Sequence, residues 1–303
     1  VVTQATYAIG SAGSVTLDRA GGQLQIVSAV PSSGWTVAKA ESEGPLAIKV
    51  TLRSSTTQVE FRGDTLVRLA AELPKGQYAW WSNRSDDSQA MLTRAVDLRG
   101  LTKATLTFET WYEIENDYDY AFITVSTDGG KSWDTLPGSL TTTDDPQGVN
   151  YGHGITGISG RPGAKLEDGH RGRWVSEQMD LSPYASQQIL LRFWQITDQG
   201  FNAPGMLIDN IAIPELGFSD NVEEGAGDWQ AEGFVRVDGT LSQQWDLRLV
   251  ITGADGATRV VPLSADGSGR AVGQLAADEQ AVLVVLGATL HTTEPANYSV
   301  STN

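Results

Sequence analysis

Apolar residues recur with period two along most of this chain, which places successive side chains on opposite faces of extended backbone. The alternation runs through Ser14-Val15-Thr16-Leu17-Asp18, Gln23-Leu24-Gln25-Ile26-Val27, Leu46-Ala47-Ile48-Lys49-Val50-Thr51-Leu52 and Thr57-Gln58-Val59-Glu60-Phe61. It returns in Ala104 to Trp111, Ala121 to Ser126, Gln188 to Trp194, Gly205 to Ile211 and Trp245 to Ile251. Ala281-Val282-Leu283-Val284-Val285-Leu286 is apolar at every position, which predicts a strand covered on both faces in the centre of a sandwich. Gly or Pro interrupts nearly every ten residues, so no segment supports a helix of more than a turn or two.

The predicted fold class is all-β: a central jelly-roll β-sandwich flanked by two small β-sandwich-like domains. Residues 1–66 read as a small sheet with a Gly21-Gly22 turn and Trp35 as its largest core side chain. Residues 67–216 read as the jelly roll, with Thr141 to Arg173 as an unusually long loop. Residues 217–303 begin with the acidic linker Asp220-Asn221-Val222-Glu223-Glu224-Gly225 and place Asp255-Gly256 and Asp266-Gly267 at hairpin turns.

Charge and composition narrow the function. The chain carries 21 basic and 37 acidic residues, a net charge of −16, which repels phosphate backbones and anionic lipid. Nucleic acid is therefore not expected as a partner. No run approaches the ~18 apolar residues of a spanning helix, so no membrane insertion is expected either. The absence of Cys excludes disulfides, thiolate nucleophiles and the usual structural zinc sites. The start, Val1-Val2-Thr3-Gln4, lacks Met and a basic leader and reads as a processed or excised chain.

Four carboxylates, Glu113, Glu115, Asp117 and Asp119, fall within seven residues, where like charges repel unless a cation compensates them. Hard oxygen donors at flexible spacing suit Ca²⁺ as a structural ion; the competing reading is a solvated hairpin end without metal. Asp128-Gly129-Gly130 with Asp134 lacks the spacing of a calcium loop and reads as a hairpin turn. Aromatic residues crowd the central segment, and most must fill its core. Trp81, Tyr118 and Tyr151, assigned to loops, are the candidates for ligand contact.

No catalytic residue stands out. The three His, at 153, 170 and 291, show no H-E-x-x-H spacing, and no G-x-S-x-G elbow occurs. With 20 acidic residues in the central segment, chance carboxylate pairs are inevitable, so a glycosidase pair is not singled out.

The order Trp111-Tyr112-Glu113-Ile114-Glu115, Asp117-Tyr118-Asp119-Tyr120-Ala121, Val125-Ser126-Thr127-Asp128-Gly129-Gly130-Lys131-Ser132-Trp133 and Leu136-Pro137-Gly138 resembles the non-catalytic jelly-roll domain of immune inhibitor A metallopeptidases. The resemblance takes in Val96-Asp97-Leu98, Thr141 to Pro146, Gly152 to Gly157 and Asp209-Asn210-Ile211, and covers roughly Tyr78 to Ile213. It implies a calcium site closed by the Asp of the Asp-Asn-Ile strand, Asp209, with Asp86 and Asp87 of the loop after the first strand. The zinc helix of those peptidases is absent from these residues. The resemblance implies a secreted, extracellular accessory region, not an enzyme as it stands, whose partner is a protein or cell-surface polymer. The alternatives are an extracellular structural protein that self-associates through strand edges into a filament or surface layer, or a carbohydrate-binding adhesive module.

Overall fold

The computed structural model describes residues 4–20, 23–33, 35–44, 46–54, 56–73, 76–277 and 279–302, so the Gly21-Gly22 turn and Val1 lie outside the described residues. Strands β1 to β6 are Gln4–Ala8, Gly13–Ala20, Gln23–Pro31, Trp35–Gly44, Ala47–Ser54 and Thr56–Gly63. Strands β7 to β13 are Leu66–Arg68, Ala79–Trp81, Gln89–Asp97, Thr105–Ile114, Tyr120–Ser126, Asp134–Thr135 and Gly157–Ile158. Strands β14 to β20 are Val175–Asp180, Gln188–Ile196, Gly205–Ile213, Phe218–Asp220, Gln230–Glu232, Val235–Val237 and Thr240–Ser242. Strands β21 to β25 are Trp245–Thr252, Thr258–Leu263, Arg270–Ala276, Gln280–Gly287 and Tyr298–Thr302. Helical structure among the described residues is confined to 3-10 turns of three residues, as the frequent Gly and Pro require.

The chain forms two compact units, where the sequence suggests three consecutive ones. One unit joins residues 1–65 to 244–288 and 296–303; the other holds 66–243 with 289–295. The reason is strand pairing. β6, from the N-terminal part, is the middle strand of the sheet β23-β6-β25, and this sheet faces β22-β21-β24 across a shared core. Val59 and Phe61 of β6 pack there with Leu247, Leu249 and Ile251 of β21 and with Ala271 and Leu275 of β23. Asp64 closes this unit: its carbonyl accepts Trp245 Nε1–H at 2.9 Å and its carboxylate accepts the Asn297 backbone N–H at 2.9 Å. Trp35 lies in the β4–β5 hairpin, half-buried, and Phe61 is the fully buried aromatic of the unit's core. β24 is apolar on both faces but sits at the edge of its sheet, and Val282, Val284 and Leu286 are exposed.

The larger unit is a sandwich of two antiparallel sheets. One runs β13-β10-β16-β8-β19, with β14 beside β10 and β17 beside β16; the other runs β12-β11-β15-β9-β18. Thus β17 to β19, read from the sequence as the start of a third domain, complete these two sheets. Alternation sets the inward faces. Ile189, Leu191 and Phe193 of β15 and Leu106 and Phe108 of β10 point into one shared core, where Phe193 meets Phe108 edge to face at 5.1 Å. The opposite face of the first sheet carries a second apolar cluster, Trp81, Trp111, Leu207 and Val237.

β11 is buried along its whole length because the segment 141–173 lies against it. That segment is not a free loop: Ile155 pairs with Ala121, Thr142 with Gly154, and β13 pairs with the end of β10. Gly154 is needed there, since a Cβ would lie 2.5 Å from the Tyr120 ring.

The Asp128 turn is a hydrogen-bonded hairpin end. Its Oδ1 accepts from the Lys131 and Ser132 N–H groups and the Ser126 hydroxyl, and its Oδ2 accepts from the Ser132 hydroxyl. These donors hold its carboxyl well below the usual carboxylate range. Asp128→Ala is expected to lower the melting temperature by a few degrees, with no change in calcium response; an unaltered melting curve would show that the turn does not need these bonds.

Candidate functional site

Three connections cross between the two sheets at one end of the sandwich: β8 to β9, β10 to β11, and β15 to β16. Each carries acidic residues, and the fold brings them together. One carboxylate oxygen from each of Glu115, Asp119 and Asp198 lies within 4.8 Å of the others.

The β10–β11 turn is built by short-range bonds. Asp117 takes a left-handed φ of +69°, the Asp119 N–H donates to the Glu115 carbonyl at 3.2 Å, and the Thr156 hydroxyl donates to that carbonyl at 2.9 Å. Both Glu115 and Asp119 are thereby turned toward the β15–β16 connection. There the Asp198 N–H donates to Asp119 Oδ1 at 2.8 Å, and the Gly200 N–H donates to Asp198 Oδ1 at 2.9 Å. The β8–β9 loop is clasped to the same connection: the Asp87 N–H donates to the Asp198 carbonyl, and the Thr197 hydroxyl donates to the Ser85 carbonyl at 2.9 Å. Asn202 Nδ2 donates to Asp86 Oδ2 at 2.5 Å.

The electrostatics are one-sided. Asp119 is only 2% exposed, and its carboxyl is pushed up to about 7 by burial and by the charges of Asp198, Glu115 and Asp86, against a single N–H bond from Asp198. Glu115 is raised as well, by burial and then by Asp198, Asp86 and Glu167. The charges that raise both are acidic. Such a set fits a hard cation: across a Ca²⁺ ion with oxygens at ~2.3–2.6 Å, ligand oxygens lie at most ~5 Å apart.

The other predicted residues fall elsewhere. Glu113, alternate to the core face of β10, is fully buried beside Arg171 and accepts the Gly172 N–H at 2.8 Å; burial raises its carboxyl, while Gly172, Arg171 and Arg84 oppose that. Asp117 shapes the turn through its backbone, donating to the Thr156 hydroxyl at 3.1 Å. Asp87 contributes its N–H.

Asp209 does not join Asp86 and Asp87. β16 pairs antiparallel to β8 with Ile208 opposite Trp80, so the chain leaving β8 passes Met206 and Gly205 and moves away from Asp209. Four strand residues, ~13 Å, separate Asp209 from that end. It is buried opposite Glu109, and burial pushes its carboxyl up to about 6, helped by Glu109, Glu223 and Asp220.

Of the aromatic candidates, Trp81 is on strand β8 and 2% exposed, with its Nε1–H donated to the Pro204 carbonyl, so it offers no free ring face. Tyr118 and Tyr151 are exposed, and Tyr151 stacks on Trp194 at 5.8 Å. Asp198 is the residue the sequence reading missed. Its signal was the polar Thr197-Asp198-Gln199-Gly200 break directly after a strong strand.

Part of this chain is similar in sequence to known proteins. Pre-pro-metalloprotease PrtV of Vibrio cholerae is 32% identical over 167 residues, 54% of this chain and 16% of that protein. Immune inhibitor A of Bacillus thuringiensis is 28% identical over 170 residues, 54% of this chain and 22% of that protein. Bacillopeptidase F of Bacillus subtilis is 23% identical over 119 residues, 39% of this chain and 6% of that protein. The chain thus spans less than a quarter of each relative's length. Residues 42–239, most of the chain, match the family described as Immune inhibitor A-like, MAM domain, and the chain belongs to that family.

Proposed function

We propose that this chain is a non-catalytic accessory region of a secreted, metallopeptidase-like protein, and that a calcium ion held by Glu115, Asp119 and Asp198, with Asp86 alongside, fixes the loops at one end of its jelly roll. The observation that carries the calcium reading is the buried Asp119 carboxylate set among the charges of Glu115, Asp198 and Asp86. A protein that must ionise such a group at neutral pH needs a compensating cation, and binding to the folded form alone stabilises it. The family membership and the peptidase names of the relatives support the accessory role. Extracellular placement agrees with the absence, among the described residues, of any helix long and apolar enough to cross a membrane.

In this reading the ion is structural. It pins the three cross-sheet connections to one another, so that their exposed residues, Tyr118 and Phe201 among them, are held in place toward a protein or cell-surface polymer. The test is a melt with excess chelator and with millimolar calcium, for the unaltered chain and for Asp198→Asn. Calcium at 100-fold its dissociation constant supplies about 2.7 kcal/mol, a rise of roughly 5 °C for a chain of this size. Asp198→Asn should lose most of that rise. Equal melts with and without calcium would remove the metal from the proposal.

A further inference from the structure

Asp-Gly occurs five times in this chain, at residues 128, 168, 238, 255 and 266. In this dipeptide an aspartyl carboxyl meets the next backbone nitrogen most readily, because Gly sets no Cβ in the way and turns freely about φ and ψ. In the folded chain the meeting depends on what holds the carboxyl. Asp128 accepts from the Lys131 and Ser132 N–H groups and from the Ser132 hydroxyl. Asp238 accepts from the N–H and the hydroxyl of Thr240, and Asp255 from the Ala257 N–H at 2.9 Å. Asp266 accepts from the N–H and hydroxyl of Ser268 and from the Arg270 N–H. All these donors lie beyond the Gly in sequence, so they hold each carboxyl away from its own Gly nitrogen.

Asp168 differs. Among the described residues no hydrogen bond or ion pair ends on its carboxylate, and Lys165 beside it is paired with Glu167 instead. It is the last residue of the 3-10 turn Leu166–Asp168, between β13 and β14, and is exposed together with Glu167, Gly169 and His170. The Gly169 nitrogen is tied by one bond, its N–H donating to the Leu166 carbonyl at 3.0 Å. A three-residue turn of this kind, with no side-chain cap, opens at little cost.

We propose that Asp168-Gly169 is a site of spontaneous isoaspartate formation, and that hydrogen bonds protect the other four Asp-Gly pairs. The Gly169 nitrogen attacks Cγ of the protonated Asp168 carboxyl. An N–Cγ bond forms, the carboxyl OH leaves with the N–H proton as water, and a succinimide ring results. Water then opens the ring. Attack at the Asp168 main-chain carbonyl carbon breaks its bond to nitrogen and routes the chain through Cγ as isoaspartate, whereas attack at Cγ restores aspartate. The water lost in the first step returns in the second, and nothing is oxidised or reduced. The main chain gains a CH₂ four residues before Gly172, whose N–H is, among the described residues, the hydrogen-bond donor to the buried Glu113 carboxylate.

The experiment is incubation of the full chain at pH 6 and 37 °C for several weeks, then tryptic mapping with electron-transfer fragmentation, which distinguishes isoaspartate from aspartate. The peptide from Leu166 to Arg171 isolates Asp168, and it should carry at least about tenfold more isoaspartate than any peptide holding another Asp-Gly pair. In urea, with the protecting bonds gone, the five pairs should react at similar rates. Asp168→Glu, which keeps the charge but would have to close a larger ring, should abolish the signal at this peptide. Asp168→Asn should speed isoaspartate formation, with ammonia leaving in place of water. An even spread over the five pairs in the folded chain, another pair leading, or the same ranking in urea as in buffer would overturn the proposal.

Discussion

Asp119→Asn is expected to melt several degrees above the unaltered chain at pH 8 without metal, and to have lost its response to calcium. The substitution keeps the shape of the side chain and an oxygen that accepts the Asp198 N–H. It removes a charge that is buried and surrounded by Glu115, Asp198 and Asp86. The folded chain holds the Asp119 proton up to a pH of about 7, while an unfolded Asp releases it near ~3.9. Between those values the native state binds one more proton than the unfolded state, so the stability contributed by the neutral form is full below pH ~4 and is lost as the pH rises through about 7. Calcium reverses the slope. It must displace that proton, so its stabilising effect should grow from pH 5 to pH 8. Glu115 and Asp209 are raised too and add to the metal-free slope, which is why the comparison with Asp119→Asn is needed. Melts of both proteins at pH 5, 6, 7 and 8, each with chelator and with calcium, give the answer. If the unaltered chain and the Asn variant melt in parallel throughout, Asp119 is neither a strained anion nor a metal ligand.

What the sequence made legible follows from distance along the chain. Period-two alternation is local, so the strands and the all-β class could be read directly, and so could the Asp128 turn, whose bonds span four residues. Glu115 and Asp119 could be paired because one turn holds both. Asp198 lies 79 residues beyond Asp119, and only the topology brings the two cross-sheet connections to the same end. The same limit misplaced Asp209. Its strand was recognised, but the antiparallel register against β8 carries Asp86 and Asp87 away from it. Trp81 looked like a loop residue because β8 is three residues long, too short to show a period. The domain boundary failed for a related reason. Alternation in β6 says that one face is covered, and says nothing of whether the cover comes from residue 17 or residue 249. β24 shows the converse: an apolar run on both faces predicts cover on both, and only one face has it.

Gly205→Ala should cost roughly 3 kcal/mol and abolish the calcium response, although Gly205 carries no side chain to lose. It opens β16 opposite Glu113, with φ of +89°, a conformation that costs an L-residue ~1–2 kcal/mol. The added Cβ would lie 2.3 Å from the Asn83 carbonyl oxygen and 2.7 Å from Ser82 Oγ. Neither neighbour can yield cheaply. Asn83 is itself held at φ +84°, and the Ser82 hydroxyl is fixed between Gln195 Oε1 and the Met206 N–H. Relief therefore requires moving residues 82–83, the stem of the loop that carries Asp86 and clasps Asp198. Gly200→Ala is the control in the neighbouring connection. Among the described residues no atom lies within 4 Å of its Cβ position, its φ is not left-handed, and its N–H bond to Asp198 survives, so a change within ~0.5 kcal/mol and a retained calcium response are expected. Denaturant unfolding with and without calcium reads both quantities. A Gly205→Ala protein that is destabilised yet still gains the full calcium increment would separate the strand start from the acidic cluster, and the ion would then have to be held without the loop after β8.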